Sequence, residues 1–120
     1  MLMYPELTNK IIEAFFEVKG KIGPGLLEKC YHNALYLALQ NRVSVVSNRP
    51  YNVYFNGKIV GEYFVDLVVE DKIIIEVKSV TKLSDNHVIQ ILNYLNISKC
   101  KLGFLVNFQN KRLEFSRFVL

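Results

Sequence analysis

The chain has 120 residues, 51% of them hydrophobic, and a formal net charge of +4. That length fits one domain, residues 1–120, with a real core, and the composition is ordinary for a globular protein. No apolar run reaches the roughly 18–20 residues needed to span a bilayer. The opening MLMYPELTNK lacks a basic segment followed by an apolar stretch, so no signal peptide is visible and the chain reads as cytoplasmic.

Pro5 to Gly20 reads as a first helix. Thr8 is its candidate N-cap, and Ile11, Ile12, Phe15, Phe16 and Val18 give an apolar face at helical spacing. Ile22-Gly23-Pro24-Gly25 breaks that helix. Pro24 suits the first turn of a second helix, and Gly25 allows close backbone approach. The second helix runs from about Gly25 to Gln40, with Leu26, Leu27, Cys30, Tyr31, Ala34, Leu35 and Ala38 as its buried stripe. Glu28 stands near its start, where an acid complements the helix dipole.

Val43 to Ser47 reads as a short strand that Asn48-Arg49-Pro50 ends. Tyr51 to Phe55 and Lys58 to Tyr63 form a hairpin around Asn56-Gly57. A second hairpin spans Tyr63 to Ser79 and turns near Glu70-Asp71-Lys72. Ser84 or Asp85 caps a third helix that continues to about Ile97. Leu102 to Phe108 is a buried strand and Leu113 to Leu120 a final one. The order helix, helix, strands, helix, strand, strand is that of an α/β fold, a central mixed β-sheet flanked by helices. Cys30 and Cys100 lie far apart in apolar contexts and read as reduced thiols near the core.

Into the apolar run of the second hairpin the sequence places Asp66, Glu76 and Lys78. Burying an unpaired charge is costly, so these three need a reason. Residues two apart on a strand share a face, so Glu76 and Lys78 point the same way. Asp66 lies opposite Glu76 only if the turn has odd length, as Glu70-Asp71-Lys72 would give, or if a strand bulges. A two-residue turn at Glu70-Asp71 would set Asp66 opposite Ile75 and put the acids on opposite faces. If they meet, two carboxylates repel unless a cation lies between them. Mg²⁺ takes oxygen ligands at about 2.1 Å and keeps several waters, and an adjacent ammonium could position a water and stabilise charge on a phosphate. The spacing is that of a metal-dependent phosphodiester hydrolase. The structural alternative is an ion pair of Lys78 with Glu76 and Asp66 at a sheet edge.

Gln90 and Tyr94 share a face of the third helix, which directly follows the Glu76-Val77-Lys78 strand. Together with Asp66, this pattern resembles the PD-(D/E)xK nuclease superfamily, nearest to its RecB/Cas4-like branch. The run Gly25-Leu26-Leu27-Glu28-Lys29-Cys30-Tyr31 matches G-x-x-E-x-x-Y, the signature of the GxxExxY proteins placed in that superfamily. Gly103-Phe104-Leu105-Val106-Asn107-Phe108 and Arg117 agree with it, so the resemblance covers nearly the whole chain. It implies a restriction-endonuclease-like core and a Mg²⁺-dependent (Mn²⁺ as the other candidate) nuclease acting on DNA. Asp66 and Glu76 would be the principal metal ligands, Glu28 a further acid and the Val77 carbonyl a third donor. Lys78 would be the catalytic lysine, with Gln90 and Tyr94 orienting lysine, water or substrate. The superfamily's Pro is replaced by Val65, and Lys19 stands where many members of the family have His.

The remaining candidates are bland. His32 reads as a surface or rim residue, and His87 could reach the site mouth. Lys82, Lys99, Lys101, Lys111, Arg112 and Arg117 make the C-terminal third basic and could hold phosphates, although solvated surface explains each alone. Tyr51 and Tyr54 read as sheet packing. The expectation is therefore a nuclease, with a non-catalytic module binding nucleic acid or a protein partner as the alternative. The exposed strand pair around Asn56-Gly57 suggests a homodimer or a partner that supplies specificity.

Overall fold

The computed structural model describes residues 3–120. Its elements in chain order are α1 (Pro5–Lys21), α2 (Glu28–Gln40), β1 (Val45–Phe55), β2 (Lys58–Val69), β3 (Ile73–Lys78), α3 (Asp85–Ser98), β4 (Leu102–Asn107) and β5 (Glu114–Val119). The five strands form one sheet in the order β1-β2-β3-β4-β5. Only β3 and β4 run parallel, because α3 carries the chain back between them; every other pair is antiparallel. This is the mixed, helix-flanked sheet that the sequence predicts.

Helices cover both faces. Ile11 and Phe15 of α1 and Tyr31 and Leu35 of α2 pack on Leu67, Ile75, Val77, Phe104 and Val106. Ile91, Tyr94 and Leu95 of α3 pack with Val65, Val68, Ile74 and Leu105 in a second core. A strand buried on both sides is apolar throughout, which explains the unbroken runs of β3 and β4. Helix α3 lies close to β4. A Cβ on Gly103 would stand 3.0 Å from Ile74 Cγ1 and 3.2 Å from both Ile91 Cδ1 and Leu95 Cδ2.

Several expectations are corrected. Thr8 is no N-cap; it lies inside α1, buried, its N–H donating to Tyr4 O. Pro5 starts that helix, since a proline loses nothing in a first turn. Helix α2 begins at Glu28, so Leu26 and Leu27 lie before it and are exposed, Leu27 by 78%; Cys30 is exposed too. The predicted break at Asn48-Arg49-Pro50 does not occur. Strand β1 is continuous, with Pro50 paired to Phe64, because β1 is an edge strand and its proline need donate no ladder bond there. Tyr54 is exposed rather than packed on the sheet.

Candidate active site

The β2–β3 turn meets the geometric demand set by the sequence. Three residues, Glu70, Asp71 and Lys72, separate the strands, and the pairs run Val69↔Ile73, Val68↔Ile74 and Leu67↔Ile75. Glu70 and Asp71 take the left-handed conformation, with φ of 54° and 56°, and Lys72 N donates to Val69 O at 2.9 Å. Continued one step, that register sets Asp66 against Glu76. There the regular ladder stops and the two strands fork. Side chains take over the backbone groups: Val77 N–H donates to Asp66 Oδ2 at 2.8 Å, and Asp66 N–H to Glu76 Oε1 at 3.3 Å.

Glu76 is 3% exposed. Burial, and then the neighbouring Asp66 carboxylate, push its carboxyl up to about 10. Lys78 acts in the opposite sense but weakly. Among the described residues Lys78 forms no ion pair, so the structural alternative of an ion-paired triad is not what the fold builds. Tyr94 borders the same pair: burial raises its phenol first, and the Glu76 charge adds to the shift. Gln90 Nε2 donates to Tyr94 Oη at 3.3 Å.

Glu28 occupies a separate position. It is exposed at the first turn of α2 and lines a hollow with Lys29, His32, Asn33 and Asn48. Among the described residues no three His, Cys, Asp or Glu side chains gather closely enough to hold a metal, so Glu28 does not complete such a trio with Asp66 and Glu76. The link between hollow and fork is His32. It is no surface residue: it is 8% exposed, its Nε2 lies 2.8 Å from Ser47 Oγ, and its Nδ1 lies 3.8 Å from Asp66 Oδ1. The signal for it was its place one helical turn after Glu28, on the same face.

Tyr31 explains the spacing G-x-x-E-x-x-Y in physical terms. Its ring stacks on Phe108 at 5.2 Å and 11°. Its hydroxyl donates to Gly23 O at 2.6 Å and accepts from Leu26 N–H at 3.1 Å. The buried tyrosine thereby holds the loop that delivers Glu28. Ser79 Oγ donates to Leu26 O at 2.8 Å and ties the same loop to the end of β3. Asn107, fully buried, clamps the chain beyond Lys78 by donating to Val80 O at 2.8 Å and accepting from Val80 N–H at 3.0 Å. A lone amide ending the apolar run of β4 was the available clue. Lys19 Nζ donates to Phe108 O at 3.1 Å and to Asn110 O, so it ties down the loop after β4. His87 accepts from Ser84 N–H at 3.0 Å and serves the start of α3. The six basic residues of the C-terminal third are all exposed.

A family model described as the PD-(D/E)XK nuclease superfamily matches residues 5–118. The chain belongs to the PD-(D/E)XK nuclease superfamily. Among solved structures this nuclease-fold chain is similar to the crystal structure of SSO0001, with 20% identity and a TM-score of 0.62 over 97% of this chain and 57% of that one. It therefore spans little more than half of SSO0001, and the likeness shows the fold. A looser match is an alkaline exonuclease (LHK-Exo) from Laribacter hongkongensis, with 12% identity and a TM-score of 0.47 over 99% of this chain and 72% of that one. No curated protein matches.

PD-(D/E)XK nucleases generally use divalent metals. The donor set here fits such an ion. Two carboxylates at one fork, the inner one kept protonated by burial and by its neighbour, form a site whose charge a hard cation would balance. Asp66 and Glu76 with a backbone oxygen and water would make the shell.

Proposed function

We propose that the chain is a metal-dependent nuclease that hydrolyses phosphodiester bonds of DNA, with Mg²⁺ or Mn²⁺ as its ion. The observation that carries this reading is the β2–β3 fork, where Asp66 and Glu76 meet and Lys78 follows without an ion-pair partner among the described residues. The G-x-x-E-x-x-Y run, with Tyr31 bracing its loop, supports a place among the GxxExxY proteins of the RecB/Cas4-like branch.

Asp66, Glu76 and the Val77 carbonyl would hold the ion, and Glu28 would face it across the hollow shared with His32. A bound divalent ion supplies Lewis-acid charge to the scissile phosphate and acidifies water. Lys78 presents an ammonium on the Glu76 face of β3, where it holds the attacking water or a non-bridging phosphate oxygen as negative charge grows. His32 steadies Asp66, with Ser47 anchoring its far nitrogen. Gln90 and Tyr94, bonded to each other, orient lysine, water or substrate from α3.

The test is cleavage of single- and double-stranded DNA with Mg²⁺ or Mn²⁺, wild type against Lys78→Ala. The expected loss is about 10²–10³-fold, the usual cost of removing one preorganised charge-stabilising donor. Equal cleavage by both proteins would assign the activity elsewhere. One observation favours a second reading, a nuclease-fold module that binds without cutting: Glu28 does not join the two acids in a trio. Binding by wild type without cleavage under either metal would decide for it. The protein partner we propose is a second copy, meeting at the apolar tip of the β1–β2 hairpin.

A further inference from the structure

Beside the fork, α3 and the β1–β2 hairpin enclose a groove. Its α3 wall carries the amides Asn86, Gln90, Asn93 and Asn96 together with Ile89 and Ile97, and Val53 and Tyr63 stand across from them. Asn86, Gln90 and Asn93 follow one another by four and three residues, so they form one stripe along the helix. The groove carries no charged residue along this length. It continues past Asn52 and Tyr54 to Lys99, beyond the C-terminal end of α3. Tyr94 lines it as well, and the same ring packs with Val65 and Ile74, which lie next to Asp66 and two before Glu76 on their strands. The groove therefore runs alongside the strands that carry the acidic fork.

The lining specifies the occupant. Each amide offers both a donor and an acceptor, the pattern that matches exposed base edges. A phosphate track would instead present lysines and arginines. Tyr63 is 48% exposed and its ring lies 5.9 Å from that of Tyr94, so an aromatic face is open beside the amides. Aromatic faces hold unpaired bases by stacking, whatever their sequence. Lys99 at the mouth suits the backbone phosphate of an entering strand. In a duplex the Watson–Crick edges are paired and the base faces are stacked on one another, so no base is free to lie on the Tyr63 ring with its pairing edge against the amides.

We propose that this groove binds the unpaired bases of a single-stranded nucleic acid and leads the strand to the acidic fork. The proposal rests on the nuclease reading for its purpose, although base binding itself needs no catalysis. It makes a free end, a flap or a splayed junction the substrate, rather than an intact duplex.

The test is fluorescence anisotropy in EDTA, where no hydrolysis proceeds, with a labelled mixed-sequence DNA strand, the RNA of the same sequence and the blunt DNA duplex. Wild type should bind a single strand well above the duplex, and the DNA and RNA arms identify which strand it takes. Tyr63→Ala should weaken single-strand binding by about tenfold, the scale of one lost base stack. Asn93→Ala should weaken it several-fold, and neither change should alter duplex binding. Both side chains lie at the surface, and unchanged thermal unfolding of the variants confirms an intact fold. Single-strand binding that both variants keep at wild-type strength would overturn the proposal, as would equal losses on strand and duplex or no strand binding by wild type. Failure of the nuclease reading looks different: strand binding would respond to both variants while wild type left DNA uncut in Mg²⁺ and Mn²⁺.

Discussion

In the unfolded chain Glu76 titrates near 4.5, whereas in the fold burial and Asp66 push it to about 10. Between those values the folded metal-free protein keeps a proton that the unfolded chain releases. Its stability therefore falls as pH rises through that window, and below it the effect vanishes. Glu76→Gln keeps the shape and cannot ionise. In EDTA at about pH 8 the variant should melt a few degrees above wild type, and at about pH 4 the two should coincide. Mn²⁺ should raise the Tm of wild type and leave that of the variant unmoved. Identical melting at both pH values would refute the buried-carboxylate account. The pairing of Asp66 with Glu76 was legible from residue spacing because both lie on one hairpin. For His32 only the face it shares with Glu28 was visible, because its contact with Asp66 joins a helix to a strand far from it in sequence and such contacts leave no local pattern. Lys19 is similar: its partners Phe108 O and Asn110 O are backbone groups at the far end of the chain.

Turn parity set the β2–β3 register, and the sequence displayed it directly in Glu70-Asp71-Lys72. Likewise Asn56 and Gly57, both at positive φ, make the tight hairpin that the dipeptide announces. Breaker residues misled where tertiary position overrode them. Pro50 is harmless on an edge strand, and Asn48 takes φ 53° opposite Asp66, where the ladder between Ser47↔Leu67 and Arg49↔Val65 skips a pair. The start of α2 was misplaced because Tyr31, not the local Pro-Gly pattern, holds the preceding loop. The docking of α3, which carries Gln90 and Tyr94, turns on Gly103. A methyl group there meets Ile74, Ile91 and Leu95 at 3.0–3.2 Å, and the helix must move or repack. Gly103→Ala should cost about 1–3 kcal/mol, the range for overpacking a filled core. In thermal unfolding that reads as a drop of roughly 3–10 °C. A Tm equal to wild type would mean that α3 is less tightly seated than the distances imply.

The molecule measures 46 × 29 × 25 Å along its principal axes, and its two cores lie on opposite faces of one sheet. Strands β1 and β2, the longest, leave Tyr54, Phe55, Ile59 and Val60 exposed around their turn, apolar side chains that neither core takes up. A contiguous exposed apolar tip on an edge strand is costly in water and prone to pair with another edge. Association through two such tips would bury them symmetrically, as in an isologous dimer. Sedimentation should then show wild type passing from monomer to dimer as concentration rises. Ile59→Lys places a charge at the centre of that contact without touching either core, so it should hold the protein monomeric with an unchanged Tm. A wild type that stays monomeric throughout, or a variant that dimerises as readily, would show that the hairpin tip is not where copies meet.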